Sequence, residues 1–205
     1  MFVKVCGLRT EADVAAAVEA GADAVGFVFA TSVRQIDVET GRKLAALVPP
    51  HVLSVGVFAK MPANEAGKIA ADTGIGMVQL HGGYPREAFG ELAGQRLMRA
   101  TTLTAETDVS VGAYGEELLL LDSPEAGSGK PWDLAVLAGR RPAGRWLLAG
   151  GLAPDNVRAA VEAAEPWGVD VSSGVEASRG VKDHTLIRAF VKNAKAAGEG
   201  LVHGV

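Results

Sequence analysis

Two ionisable residues close apolar runs that lie far apart in the chain. Cys6 ends Val3-Lys4-Val5-Cys6, and Asp122 follows Glu117-Leu118-Leu119-Leu120-Leu121. A thiolate can take a proton and a buried carboxyl can give one, so the pair could serve as general base and general acid. Lys4 stands two residues before Cys6 and points to the same side of a strand, where an ammonium favours the thiolate. Each residue also has a plainer reading. A lone strand-end cysteine is often a small buried apolar residue, and an aspartate after an apolar strand often begins a turn. The remaining strand ends shift the balance. Arg34 follows the second apolar run, and Gln79 and His81 close the fourth. Gly150-Gly151 follows the seventh, and Ser172-Ser173-Gly174 the eighth.

The elements that must position these residues alternate along the whole chain. Val3–Cys6 reads as a strand, and Thr10 with Asp13 three residues on reads as a capping box opening a helix. The other strands are read at 22–29, 52–58, 77–80, 96–100, 117–121, 146–149 and 168–171. Asp37 is the expected cap of the second helix, whose apolar face is Leu44, Leu47 and Val48. The third helix opens at Pro62, and the stretch after strand four is a short helix through Phe89 and Leu92. Residues 104–115 lack large apolar groups at helical period, so the fifth helix should be reduced. Ser123–Pro131 reads as a Gly-rich loop and Trp132–Leu137 as a short helix. Pro154-Asp155 opens the next helix, and Asp183 caps the last.

Alternating strands and helices imply a parallel sheet with helices outside. Eight units at a spacing of about 25 residues suggest a single closed (β/α)8 TIM barrel over residues 1–205, with an open doubly wound sheet as the rival. Chemistry in such barrels gathers on the loops after the strands, which would bring Cys6, Arg34, His81 and Asp122 to one mouth. Glycine turns after the last two strands commonly hold phosphate through backbone N–H groups. Gly150, Gly151, Ser173 and Gly174 are therefore candidate phosphate-binding residues. Asp170 and Ser172 share a face of the last strand, and Asp170 would point inward to offset Lys4.

Bulk properties narrow the class. Of 205 residues, 48% are hydrophobic and 21% charged, as expected of a globular core. The net charge of −4 gives no reason to expect nucleic acid or an anionic membrane as partner. One cysteine excludes an intrachain disulfide and fits a reducing cytoplasm. No apolar run is long enough to span a bilayer or serve as a signal peptide. No His, Cys or acidic pair has metal-ligand spacing.

The chain resembles the phosphoribosylanthranilate isomerase family from end to end. The markers are Lys4-Val5-Cys6-Gly7-Leu8, Val78-Gln79-Leu80-His81-Gly82, Leu121-Asp122-Ser123 with Gly127-Ser128-Gly129-Lys130, Ala149-Gly150-Gly151-Leu152, and Val169 through Glu176. The Gly-Gly-Leu turn is shared by many phosphate-binding barrels; the first and last markers are particular to this family. One departure stands out: the family pattern after strand two is Ser-Pro-Arg in a slightly longer loop, whereas here Ser32-Val33-Arg34 follows Ala30-Thr31.

The resemblance implies an Amadori rearrangement of N-(5′-phosphoribosyl)anthranilate, with a small phosphorylated substrate as partner, no nucleic acid or membrane, and no metal or organic cofactor. Asp122 would be the acid that opens the ring, its pKa raised by burial. Cys6 would be the base at C2, its pKa lowered with the help of Lys4. Arg34 would clamp the anthranilate carboxylate, with His81 and Asp170 among the binding residues. Two other readings remain at this stage. One is a related histidine-pathway or dual-substrate isomerase, which would carry an Asp in place of Cys6. The other is a barrel that binds a phosphorylated ligand without turning it over. Monomer and homodimer are equally open.

Overall fold

In the computed structural model, which describes residues 1–123, 137 and 139–202, eight parallel strands close into a barrel in chain order. They are β1 (Phe2–Cys6), β2 (Ala24–Val28), β3 (Leu53–Phe58), β4 (Met77–His81), β5 (Leu97–Thr102), β6 (Leu118–Asp122), β7 (Trp146–Leu148) and β8 (Gly168–Val171). β8 returns to pair with β1, Lys4 opposite Asp170, which excludes the open sheet.

Strand alternation sorts the side chains into two cores. Residues facing outward, such as Val3, Val5, Val78, Leu80, Leu119, Leu121, Val169 and Val171, pack under the helices. Those facing the axis include Ala24, Val55, Met77, Met98, Leu118, Leu120 and Leu147, which fill the barrel. Above them Cys6, Val28 and Val57 form a third, smaller apolar layer. A side chain's face is set by its parity on the strand, so Lys4 with Cys6, Gln79 with His81, and Asp122 with Leu120 point inward together.

The helices follow the capping chemistry. α1 (Glu11–Glu19) begins with the complete Thr10–Asp13 capping box, and α2 (Val38–Ala45) begins at Asp37, whose side chain accepts from the Thr40 N–H. α2 stops before Leu47, which is 49% exposed and not part of an apolar face. α3 (Ala63–Thr73) and the short α4 (Arg86–Gly90) lie at the expected places. α5 (Val157–Ala164) starts later than Pro154, because Asn156 first folds a turn: its side chain accepts from the Ala153 N–H and donates to the Gly151 carbonyl. α6 (His184–Val202) is capped by Asp183, whose carboxylate accepts from the N–H groups of Thr185 and Leu186.

No helix joins β5 to β6. Two guanidiniums organise that loop instead. Arg99, buried on the outer face of β5, pairs with buried Glu116 at 2.8 Å and donates to the carbonyls of Asp108 and Ser110. Arg140 donates to the carbonyls of Thr104 and Thr107. These bonds satisfy backbone acceptors that a helix would have paired internally.

One element was absent from the sequence reading. After β8 a single 3-10 turn, Ser173–Val175, leads into an antiparallel hairpin of β9 (Glu176–Ser178) and β10 (Val181–Lys182). The expected Gly-rich loop and the short helix before Leu137, apart from Ser123 and Leu137 themselves, lie outside the described residues. Among the described residues no helix is long and apolar enough to cross a membrane.

Candidate active site

The C-terminal ends of the strands open on a cavity of about 890 Å³ lined by Cys6, Arg34, His81, Asp122, Gly150, Gly151, Asp170, Ser172 and Ser173. All the candidate residues except Gly174 therefore meet at one mouth. Gly174 does not line it. It lies behind the β7 loop, where a Cβ would fall on the Leu152 carbonyl oxygen, so its lack of a side chain lets the β7 and β8 turns close on each other.

Cys6 sits on the cavity floor. Gly26 stands opposite it on β2, and a Cβ there would come within 2.8 Å of the sulfur, so a glycine at this position makes room for the thiol. Lys4, wholly buried, donates to Asp170 Oδ1 at 2.8 Å across the β1–β8 seam. Asp170 thus points inward to Lys4, as its strand parity demands. The expected fall in the Cys6 pKa is not what this arrangement produces. Lys4 and Lys182 pull the thiol down, but burial and the Asp170 carboxylate push it up, and burial is the largest effect. The net direction is upward because burial outweighs the two ammonium groups, with Asp170 adding to the rise.

Asp122 ends β6 at the opposite side of the mouth. Burial raises its pKa, with Asp170 adding to the rise and His81 opposing it. His81 Nε2 lies 3.9 Å from Asp122 Oδ2, and the His81 side chain is partly open to solvent. Gly150 has φ +88°, and a Cβ on it would come within 2.5 Å of Asp122 Oδ1. The turn therefore packs closely against the carboxylate while aiming backbone into the cavity. Gly151, at φ +66°, is held from behind by Asn156.

Arg34 reaches the cavity from the β2 loop despite the altered Ser32-Val33-Arg34 sequence. Its aliphatic stem crosses Gly7, where a Cβ would approach Arg34 Cδ to 2.7 Å. Its guanidinium bonds Glu176 through Nε and Nη2 at 2.6 and 3.0 Å. Ser172 Oγ donates to the Cys6 carbonyl.

Gln79, Glu176 and Arg179 line the cavity and Lys182 backs Glu176, and none of the four was assigned a role from sequence. Glu176 and Lys182 are buried in the hairpin and paired at 3.1 Å. Arg179 lines the outer wall. Gln79 lines the inner wall, and among the described residues its Oε1 is a buried acceptor without a partner. Its inward parity from Met77 to His81 was the signal available for Gln79. Glu176 had only its place at the end of the Val169–Glu176 marker, and Lys182 had none, since the hairpin is too short and too polar to show an alternating pattern. Among the described residues no cluster of His, Cys, Asp or Glu has the grouping to hold a metal ion.

Chemically, the cavity opposes a thiol and a protonatable carboxyl across its width, adds a guanidinium at one edge, and offers two close-packed backbone turns at another. That set suits an anionic ligand undergoing proton transfer at carbon and oxygen.

Comparison with known proteins agrees with this geometry. Residues 3–193 match the family model described as N-(5′phosphoribosyl)anthranilate (PRA) isomerase. The N-(5′-phosphoribosyl)anthranilate isomerase of Thermotoga petrophila is 43% identical over 200 residues, covering 94% of this chain and 98% of that protein. Among solved structures, TrpF from Jonesia denitrificans superposes with a TM-score of 0.90 at 50% identity, covering 96% of this chain and 98% of that one. A phosphoribosylanthranilate isomerase solved with reduced 1-(o-carboxyphenylamino)-1-deoxyribulose 5-phosphate gives a TM-score of 0.84 at 37% identity, with 96% and 99% coverage.

Proposed function

The chain belongs to the N-(5′-phosphoribosyl)anthranilate isomerase family, and we propose that Cys6 and Asp122 are the base and acid of its reaction. The enzyme converts N-(5′-phosphoribosyl)anthranilate to 1-(2-carboxyphenylamino)-1-deoxyribulose 5-phosphate, a step of tryptophan biosynthesis. The observation that supports the residue roles is that Cys6 and Asp122 line one cavity together with Arg34 and the Gly150-Gly151 turn.

Asp122 protonates the furanose ring oxygen, the ring opens, and the C1–N bond becomes an imine. Its raised pKa keeps a proton available for this step. Cys6, as thiolate, then removes the C2 proton, and the electron pair moves into a C1–C2 double bond to give the enol-amine. Tautomerisation yields the ketone at C2. Lys4 and Lys182 oppose the upward push of burial on the thiol and so stabilise the thiolate during this transfer. Arg34 holds the ring carboxylate. The phosphate rests on the backbone of the Gly150-Gly151 turn and of Ser173, with Gly174 permitting that turn to close. His81 and Asp170 face the sugar. Retention of a cysteine at position 6 supports the tryptophan-pathway substrate over the histidine-pathway one, and ligand binding alone would need neither Cys6 nor Asp122. A single cysteine used as a free thiol fits a cytoplasmic location, and we read residues 1–205 as one barrel domain.

Fluorescence progress curves on freshly made phosphoribosylanthranilate test the roles. Cys6→Ala and Asp122→Asn should each lower kcat at least about a hundredfold with the fold retained by circular dichroism. A Cys6→Ala enzyme that keeps most of its kcat would reduce the thiol to packing.

A further inference from the structure

Glu176 is bound more completely than an ordinary surface carboxylate. Oε1 accepts from Arg34 Nε at 2.6 Å and from Lys182 Nζ at 3.1 Å. Oε2 accepts from Arg34 Nη2 at 3.0 Å and from the Gly180 N–H at 3.1 Å. The Glu176 and Lys182 side chains are 5% and 1% exposed, while Arg34 is 24% exposed. Its ring of donors holds the Glu176 carboxyl down at about 2. The carboxylate is therefore fixed and ionised, and the guanidinium it holds is the open end of the cluster.

Charge points the same way. Arg34 and Lys182 each bring one positive charge and Glu176 one negative, leaving this three-residue cluster one net positive charge. Arg34 Nη1 makes no hydrogen bond among the described residues. An anion arriving there meets a planar donor already set in place, so little side-chain freedom is lost on binding. Lys182 also donates to the Ser172 carbonyl at 2.8 Å, and the Ser172 hydroxyl donates to the Cys6 carbonyl. The hairpin thus anchors the guanidinium to the strand turn that borders the thiol.

We propose that Glu176, backed by Lys182, is a positioning residue that presents Arg34 to the carboxylate of the aromatic amine and so sets selectivity for carboxylate-bearing substrates. This rests on Arg34 being the carboxylate clamp.

The test compares the wild-type enzyme with Glu176→Gln, Arg34→Ala and the double variant. Readouts are kcat, KM for phosphoribosylanthranilate, and inhibition by three probes: the reduced carboxyphenylamino-deoxyribulose 5-phosphate, its carboxylate-free phenylamino counterpart, and inorganic phosphate. Glu176→Gln should raise KM about tenfold or more with kcat within about threefold. It should also lose most of the preference for the carboxylated inhibitor while phosphate inhibition stays unchanged. The double variant should be no worse than Arg34→Ala, because both remove the same interaction. If Arg34→Ala abolishes the carboxylate preference and Glu176→Gln keeps it, the positioning role is overturned and the clamp stands. If Arg34→Ala itself keeps the preference, the clamp reading fails and takes this inference with it. Equal weakening of all three probes in Glu176→Gln would show a merely structural ion pair and also overturn the proposal. Should Glu176→Gln fail to fold, Glu176→Asp keeps the charge and withdraws it by one methylene, with the same pattern expected.

Discussion

Replacing Lys4 with Met tests how the barrel tolerates a charge at its centre. Methionine nearly matches the lysine stem in shape, so little packing is lost. What remains is Asp170, 9% exposed, without the ammonium that lies 2.8 Å away. Breaking a buried pair from one side costs about 3–5 kcal/mol, because the other charge stays buried and uncompensated. For a domain of this size, where each kcal/mol moves Tm by about 2–4 °C, the expected fall is roughly 6–20 °C. Lys4→Met/Asp170→Leu removes both charges and should recover most of the loss, since an apolar pair of similar volume is often neutral or better. Urea and thermal unfolding followed by circular dichroism give both numbers. The sign of the pH effect is also set. The Lys4 pKa is raised above 10.5, so its contribution is complete below 10.5 and fades only as pH climbs through the folded value. Single and double variants equally unstable, or a Lys4→Met protein as stable as wild type at neutral pH, would refute the reasoning.

Two further outcomes follow from the pKa directions. The Cys6 thiol is raised above its ordinary 9.0 by burial, so alkylation of the free enzyme by iodoacetamide should be slow at neutral pH and reach its midpoint above 9.0; a midpoint below that would show that the lysines outweigh burial. Asp122 is raised above its ordinary 3.8 by burial, so the folded state binds the proton more tightly and stability falls as pH rises through the folded value. Asp122→Asn should therefore melt higher than wild type at neutral pH, with the gain vanishing below pH 3.8, while losing kcat; scanning calorimetry at the two pH values checks this, and equal Tm values at neutral pH would contradict it.

What was legible in the sequence was whatever strand parity and caps encode. Cys6, Asp122 and Asp170 were found because each sits at or near the end of an apolar run, and an inward side chain at that height must face the mouth. Thr10, Asp37 and Asp183 cap helices through bonds within a few residues, so their signal is local. Leu47 misled because helical spacing continues past Ala45, while the helix ends there and leaves the side chain in water. The hairpin was missed because Glu176–Ser178 and Val181–Lys182 are too short and polar to alternate. Arg99 and Glu116 were missed because a buried ion pair spanning a loop leaves no periodic trace. The direction of the Cys6 shift was misjudged because Lys4 was weighed without the burial of the thiol, the largest effect, and without the Asp170 carboxylate that adds to it.

That distance has a meaning in time. Lys4 and Asp170 are separated by 166 residues, and ribosomes add about 5–20 residues per second. Some 8–33 s therefore pass, on that scale, between the emergence of the ammonium and that of its partner. Throughout that interval the first strand carries a cation it cannot bury and an edge it cannot pair. Barrel closure and neutralisation of its axis are then a single late event. The same event brings the hairpin and its hold on Arg34 into reach, so a nascent chain acquires its interior and its chemistry together.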